Sequence, residues 1–293
     1  MTKILLTGAT GFLGSHLLVG LLEKTNNEII VLKRSFSNSF RIDEALKNPR
    51  VKYYDIDKIN LEEVFKNDEI ETIIHCATNY GRNDKNILNI VQANLILPLT
   101  LLQLGIEYGV KNFLNTDTVI DKNVNHYSLS KNQFLDWLKD CSSQINCLNV
   151  ALEHFYGAFD NETKFTTLMI HQLINKVEKI DLTKGDQKRY FIHIDDVVSA
   201  FLVILDNINN FEPHFKSFEV STENSISIKD FMLLAKELTK NTNTKLNFGA
   251  IPYRKNEQMN YKTNISGLKK WGWAPMVSLE EGLSKTINEE LSV

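Results

Sequence analysis

The feature that most restricts this chain is the run Thr7-Gly8-Ala9-Thr10-Gly11-Phe12-Leu13-Gly14, which follows directly on the β-rich stretch Lys3–Thr7. Beyond it, apolar side chains recur at helical spacing, through Phe12, Leu13, His16, Leu17, Val19 and Leu21. A first strand therefore turns into a first helix through three glycines, and each glycine has its own task. Gly8 permits a tight turn, Gly11 lets backbone N–H groups approach a pyrophosphate, and Gly14 lets helix and strand close up. The helix N-terminus adds a partial positive charge. The turn predicts dinucleotide binding through Gly8, Thr10, Gly11, Phe12 and Leu13; the alternative is an ordinary glycine turn.

The same rhythm continues through the first half of the chain. Strands are expected at Glu28–Lys33, Val51–Tyr54, Thr72–Cys76, Asn112–Thr116 and Ile145–Val150, with helices near Leu61–Phe65, Lys85–Tyr108 and Tyr127–Asp140. Strands alternating with helices need right-handed crossovers. They imply an α/β fold with a Rossmann-like, doubly wound parallel sheet over residues 1–152, with parts of 190–215 returning to it. From about residue 152 the pieces shorten and mix, with helices near Thr166–Lys176, Asp195–Asp206, Lys229–Lys240 and Leu279–Glu290. Residues 153–293 are expected to form mainly a smaller C-terminal α/β lobe.

Composition narrows the partners. In 293 residues, 43% hydrophobic, 33 basic side chains stand against 36 acidic ones, a net charge of −3. Nothing here supplies the excess cation that nucleic acid or an anionic membrane surface selects. Three cysteines without a CxxC or a Cys/His metal spacing predict neither a disulfide framework nor a metal site. The uncharged stretches Ile4–Leu22 and Asn86–Ile106 are interrupted by glycines and amides, so no membrane span is expected. The first apolar run is broken by glycine before it could serve as a signal-peptide core, which points to the cytoplasm.

The end of the second strand reads Leu32-Lys33-Arg34-Ser35, where NAD recognition calls for an acid to accept the ribose hydroxyls. Arg34 offers a planar fork to a 2′-phosphate and Lys33 a second charge, which favours NADP(H) over NAD; solvated surface charges are the alternative. Tyr127 and Lys131 lie four apart on an expected helix and so share a face. About one such pair arises by chance in a chain this rich in lysine. Two occur, and the other, Tyr54 with Lys58, spans a strand end. Ahead of Tyr127, Asn115-Thr116-Asp117-Thr118 brings hydroxyls to the carboxyl edge of the sheet, where open α/β sheets bind ligands. Ketone reduction needs a hydride donor and an acid for the developing alkoxide. Tyr127 would be that acid, Lys131 together with the positive charge of oxidised nicotinamide would draw its pKa down from about 10, and Thr116 would orient the carbonyl. The bland reading of Tyr127 is a residue at a packing seam.

The glycine turn, Thr116, Tyr127 and Lys131 together resemble the extended short-chain dehydrogenase/reductase family, the NAD-dependent epimerase/dehydratase group that acts on nucleotide sugars. The resemblance runs over nearly the whole chain. It implies that Asp55 and Ile56 contact adenine, that Ala77 and Thr78 line the cofactor at the end of the strand Ile73–Cys76, and that Asn94 braces the active site. Gln187–Val197 is similar to the family's Arg-Asp-Phe-x-His-x-x-Asp segment and Trp271–Pro275 to its Leu-Gly-Trp-x-Pro. Arg189 and Arg254 would then hold a nucleotide diphosphate. The family pairs the helices corresponding to 85–108 and 127–140 across a two-fold axis, which implies a homodimer.

Sugar 4,6-dehydratases of this family carry Thr-Asp-Glu where this chain has Thr116-Asp117-Thr118, so the elimination base is missing. A narrower resemblance lies in Tyr80-Gly81-Arg82, Leu152–Asp160 and Lys164-Phe165-Thr166, which look like the synthases of CDP-paratose and CDP-abequose. Those enzymes reduce CDP-4-dehydro-3,6-dideoxy-D-glucose with NADPH for lipopolysaccharide O-antigen. By that resemblance Tyr80, Arg82, Thr116, Asp117, Thr118, His154, Phe165, Arg189 and Arg254 bind substrate. Where the wider family has Arg-x-x-Asn-x-Tyr-Gly-Pro, this chain has Ala151, His154 and Ala158, and Tyr190 replaces the usual Asp after Arg189. The remaining alternatives are a dTDP- or GDP-4-keto-6-deoxy-sugar reductase, a nucleotide-sugar 4-epimerase and, from another class, a non-catalytic NADP(H)-binding sensor.

Overall fold

The computed structural model describes residues 2–82, 86–208, 215–254 and 257–292. The chain divides into two compact units, residues 1–152 with 198–219, and residues 153–197 with 220–293.

Unit 1 is built on β1 (Lys3–Thr7), α1 (Phe12–Lys24), β2 (Glu28–Lys33), β3 (Val51–Asp55), α2 (Leu61–Asn67), β4 (Thr72–His75), α3 (Ile87–Val91), α4 (Leu97–Glu107), β5 (Asn112–Thr118), α5 (His126–Asp140) and β6 (Asn146–Leu152). The strands from β3 through β2, β1, β4 and β5 to β6 pair in parallel, and β11 (Phe215–Val220) adds a seventh strand beside β6. This is the doubly wound sheet the sequence implies, and its inner strands are buried on both faces, which is why they read as continuous apolar runs. Leu5, Ile30, Ile73, Phe113 and Cys147, from five adjacent strands, meet Leu101 and Leu102 of α4 and Phe134 and Leu138 of α5 in one core. Truncating a ring such as that of Phe113 there costs about 3–5 kcal/mol.

Helix boundaries follow local chemistry. Asn60 caps α2, and Asn125 and Ser128 form a reciprocal capping box that starts α5 two residues before Tyr127. The expected helix over 85–108 is found at Ile87–Glu107; its expected first residue, Lys85, lies outside the described residues. A π turn at Gln92–Ile96 interrupts it just before Pro98, the residue whose missing N–H removes a bond from the helical ladder. Among the described residues this is the one helix long and apolar enough to cross a membrane. Its Asn94 is fully buried and hydrogen-bonded inside unit 1.

Unit 2 holds β7 (His154–Tyr156), α6 (Phe165–Ile174), β8 (Lys179–Leu182), β9 (Lys188–Arg189), β10 (Phe191–His193), the start of α7 (Ile194–Asn207), β12 (Ile226–Ser227), α8 (Ile228–Leu238), β13 (Lys245–Phe248), α9 (Ser266–Lys269) and α10 (Leu279–Leu291). Its strands pair only two at a time, β7 with β10, β9 with β12 and β8 with β13. Its own core gathers Tyr156, Phe191, Phe231, Met232 and Leu283. Strands of two to four residues leave too little periodicity for a sequence to reveal them, and β7 to β10, β12 and β13 have no counterpart among the expected strands.

Candidate active site

The glycine turn is a cradle that side chains would fill. Gly8 adopts φ of +71°, and a Cβ built there would lie 2.5 Å from the Ala77 amide nitrogen; one on Gly14 would lie 2.2 Å from the Gly8 carbonyl oxygen. Strand β1 thus approaches the end of β4 at Gly8, and α1 approaches the turn at Gly14. The Thr7 hydroxyl locks the same edge. Its oxygen accepts the Cys76 and Ala77 N–H groups, each at 3.1 Å, and lies 2.9 Å from His75 Nδ1. With both lone pairs engaged, the hydroxyl proton goes to His75 Nδ1, so the imidazole carries its own proton on Nε2, which has no partner. Burial, and then the Lys131 charge, hold His75 neutral, with its pKa well below 6.5. An open glycine cradle at a helix N-terminus fits a dinucleotide pyrophosphate.

At the end of β2 the structure gives the two basic residues different tasks. Lys33 does not stand ready as a second phosphate ligand: its ammonium lies 2.6 Å from the Asp55 carboxylate, and Asp55 also faces Lys58. Arg34 is exposed, with its guanidinium 4.9 Å from the centre of the Phe36 ring. Ile56 packs against the core of unit 1.

The capping box at Asn125 aims the first turn of α5 so that Tyr127 and Lys131 both point inward, 9% and 1% exposed. Tyr80 stacks its ring 4.9 Å from Tyr127, and the Arg82 guanidinium lies 5.2 Å from the Tyr80 ring. The Thr118 hydroxyl acts on the Tyr127 phenol and favours its ionised form. Thr116 donates its hydroxyl to the His75 carbonyl at 2.9 Å, so only its oxygen lone pairs remain for a ligand. Asn94 donates to the Asn79 carbonyl and the Ser130 hydroxyl, and accepts from the Thr78 hydroxyl and the Asn79 N–H. The π turn carrying Asn94 thereby fastens the loop after β4 to α5.

In the cofactor-free protein the balance of effects on the Tyr127 phenol runs upward. Burial, followed by Tyr80 and Asp117, pushes the Tyr127 pKa well above 10, against the pull of Thr118 and Arg82. In the protein alone the phenol keeps its proton. Burial lowers the Lys131 pKa, opposed by the Asp117 carboxylate, and its Nζ has no hydrogen-bond partner in the protein. A buried ammonium with three unused donors fits vicinal hydroxyls such as those of a nicotinamide ribose.

Sequence reasoning missed the support beneath Asp117. Asn115 donates to Asn149 at 2.8 Å, and Asn149 donates to Asp117 at 3.0 Å, all within buried strands. Asparagine is depleted in strands, so Asn112, Asn115, Asn146 and Asn149 on β5 and β6 were the available signal.

Unit 2 carries the remaining expected residues. Arg189, 13% exposed at its side chain, pairs with Glu257 and donates to the Lys188 and Gln258 carbonyls, both at 2.7 Å. Arg254 is exposed, Phe165 packs on Phe231 at the edge of the core, and the half-buried His154 lies beside Glu153. Among the described residues no group of three or more His, Cys, Asp or Glu could hold a metal ion.

A Rossmann sheet with a glycine cradle and a Tyr/Lys pair at its carboxyl edge defines a nicotinamide-dependent enzyme fold. The match of residues 4–220 to the NAD dependent epimerase/dehydratase family shows that the chain belongs to that family. Along almost all of its length it is similar to curated CDP-abequose synthases, 34% identical to that of Salmonella typhimurium, with 97% of each chain covered, and 36% identical to that of Salmonella muenchen, covering 98% of this chain and 97% of that one. Its fold is that of UDP-glucose 4-epimerase from Thermotoga maritima, with a TM-score of 0.84, 23% identity and 99% of both chains covered. UDP-glucuronic acid 4-epimerase from Bacillus cereus, solved with UDP-glucuronic acid and NAD, superposes with a TM-score of 0.86 at 20% identity, again over 99% of both chains.

Proposed function

We propose that this protein is an NADPH-dependent 4-ketoreductase of a nucleotide-linked deoxy sugar, acting on CDP-4-dehydro-3,6-dideoxy-D-glucose to give CDP-abequose or CDP-paratose for O-antigen. The observation that carries the reaction class is the buried, protonated Tyr127 on one helix face with a Lys131 ammonium that has no protein partner. The similarity to CDP-abequose synthases over 97–98% of the chain supports the substrate. Bound reduced nicotinamide supplies the hydride for C4 of the sugar. Tyr127 donates its proton to the C4 oxygen, and the Thr118 and Arg82 contacts ease the charge left on the phenolate. Lys131 holds the ribose of the cofactor and offsets that same charge. Thr116 offers lone pairs, its proton being engaged by His75. The glycine cradle, Ala77 and Thr78 receive the dinucleotide, and Arg34 selects the 2′-phosphate. Tyr80, Arg82, Asp117, His154, Phe165, Arg189 and Arg254 are assigned to substrate. With Thr118 where an eliminating enzyme needs a carboxylate, net reduction is favoured over dehydration. Exposed Ile87, Leu88, Ile96, Leu129 and Trp137 support a homodimer through the helices at 87–107 and 126–140. The reading carries a cytoplasmic location with it.

The test is NADPH oxidation with CDP-4-dehydro-3,6-dideoxy-D-glucose, with NMR of the product at C4 and dTDP-4-keto-6-deoxyglucose alongside. Turnover with the CDP sugar is expected, and Arg34→Ala is expected to raise the KM for NADPH about 10–100-fold while leaving that for NADH nearly unchanged. Turnover with the dTDP sugar alone would discard the CDP assignment. Tightly retained NAD with no net NADPH oxidation would replace the reductase by a 4-epimerase.

A further inference from the structure

Unit 2 contains a polar cluster around His154 in which the reading above gives Glu153, Tyr190 and Tyr261 no task. Glu153, at the start of the segment after β6, is 4% exposed and buries a carboxylate. One oxygen, Oε2, accepts the Tyr261 hydroxyl and lies 3.4 Å from His154 Nδ1, while Oε1 is buried with no partner. Tyr261 is itself pinned: the Tyr190 hydroxyl donates to its carbonyl at 3.2 Å and the two rings pack at 5.4 Å. His154 pairs with Phe191 in the β7 and β10 register, and the His154 ring packs edge-on against that of Phe191 at 5.8 Å. The ring plane is therefore fixed, and 38% of the His154 side chain remains exposed. Two of the four residues, His154 and Tyr190, are positions where the chain departs from its family's runs.

We propose that Glu153 is a positioning residue that locks His154 in one tautomer, so that His154 reads a sugar hydroxyl of the substrate. A carboxylate only accepts hydrogen bonds, so the His154 proton sits on Nδ1 and Nε2 presents a lone pair. Burial and Glu153 itself push the Tyr261 pKa up, so that phenol stays a donor and adds its hold on the carboxylate. A carboxylate kept only for packing is expected to have both oxygens satisfied. Among the described residues Glu153 forms no ion pair with Lys or Arg, and the His154 imidazole is the ring its carboxylate faces. A lone pair backed by negative charge repels phosphate and accepts a hydroxyl proton. The Arg189 charge opposes that rise at Tyr261.

The inference rests on the nucleotide-sugar reading, and its test separates the two. In the full chain labelled with 15N, long-range 1H–15N spectra at pH 8, with His154 assigned by its absence from His154→Asn, report the tautomer without any substrate. The Nδ1–H form is expected in wild type and in Glu153→Asp, and the Nε2–H form in Glu153→Gln. CDP, which offers only ribose hydroxyls, and CDP-4-dehydro-3,6-dideoxy-D-glucose are then titrated in turn to tell which sugar shifts the Nε2 signal. In kinetics Glu153→Gln is expected to raise KM about tenfold with kcat little changed, NADPH affinity unaltered, and Glu153→Asp restoring most of the loss. The double variant with His154→Asn should be no worse than His154→Asn alone. An unchanged tautomer in Glu153→Gln, additive losses, or an Nε2 signal unmoved by both ligands overturns the proposal. A wild type that ignores the CDP sugar but shows the Nδ1–H tautomer, lost in Glu153→Gln, and an Nε2 shift with CDP overturns the reductase alone.

Discussion

Lys131 of unit 1 and Arg189 of unit 2 are both largely buried cations, and the protein treats them in opposite ways. Lys131 has its ammonium in a fully buried position with no hydrogen-bond partner, and only the nearby Asp117 carboxylate moderates its charge. Arg189 is engaged on every side, by Glu257 and by two backbone carbonyls. A group proposed to meet a ligand during chemistry is left unsatisfied, at a cost in stability. A group proposed to grip a diphosphate is held in place by a carboxylate and two carbonyls. The two units thus divide strain and rigidity between them.

Replacing Tyr127 with Phe strikes at the unsatisfied side and is expected to have the largest effect. Loss of a positioned acid lowers kcat by about 10²–10⁴-fold, while NADPH affinity, read by fluorescence titration, stays as in wild type. Unchanged turnover would dissolve the contrast, since Tyr127 would then be a packing residue.

Lys131→Met should abolish turnover almost as fully yet stabilise the ligand-free protein by about 1–3 kcal/mol in urea melts, because a buried unpaired charge is removed. The gain depends on pH. The folded pKa of Lys131 lies below 10.5, so between the two values the unfolded chain binds more protons and wild-type stability rises with pH. The advantage of the Met variant therefore shrinks as pH climbs toward 10.5. The neutral, buried His75 acts with the same sign at lower pH, stability being lost as pH falls below 6.5, where the unfolded state takes up a proton.

Arg189→Lys sharpens the other half of the comparison. A fork exchanged for a point charge is expected to raise the KM for the nucleotide sugar about tenfold with kcat nearly unchanged. A fall in kcat alone would argue that Arg189 acts in chemistry rather than in grip. The smallest effect is expected at the thiols. Burial pushes Cys76 and Cys147 up to about 12, so at pH 8 a thiol reagent should leave both unmodified in the native protein and react with them only after unfolding.

Much of unit 1 was legible because its signals are local. The glycine turn lies within eight residues, the strands are continuous apolar runs, and Tyr127 and Lys131 are one helical turn apart. The tertiary hold on the π turn at 92–96 was not legible, since it is made at Asn94 by the loop after β4 and by Ser130. Nor was the task of Lys33, whose partner Asp55 comes from the neighbouring strand. In unit 2 the partners are farther still: Tyr261 reaches Glu153 across 108 residues and Glu257 reaches Arg189 across 68. No periodicity or spacing reports such contacts.

The sequence by itself determined the parallel sheet, the glycine cradle and the helix face that carries Tyr127 and Lys131, because backbone sterics and side-chain period act over a few residues. Only the tertiary structure decided the ionic character of those groups. Burial sets the proton on Tyr127, isolates Lys131 and turns Glu153 toward His154, and burial is a property of what the rest of the chain packs around each residue.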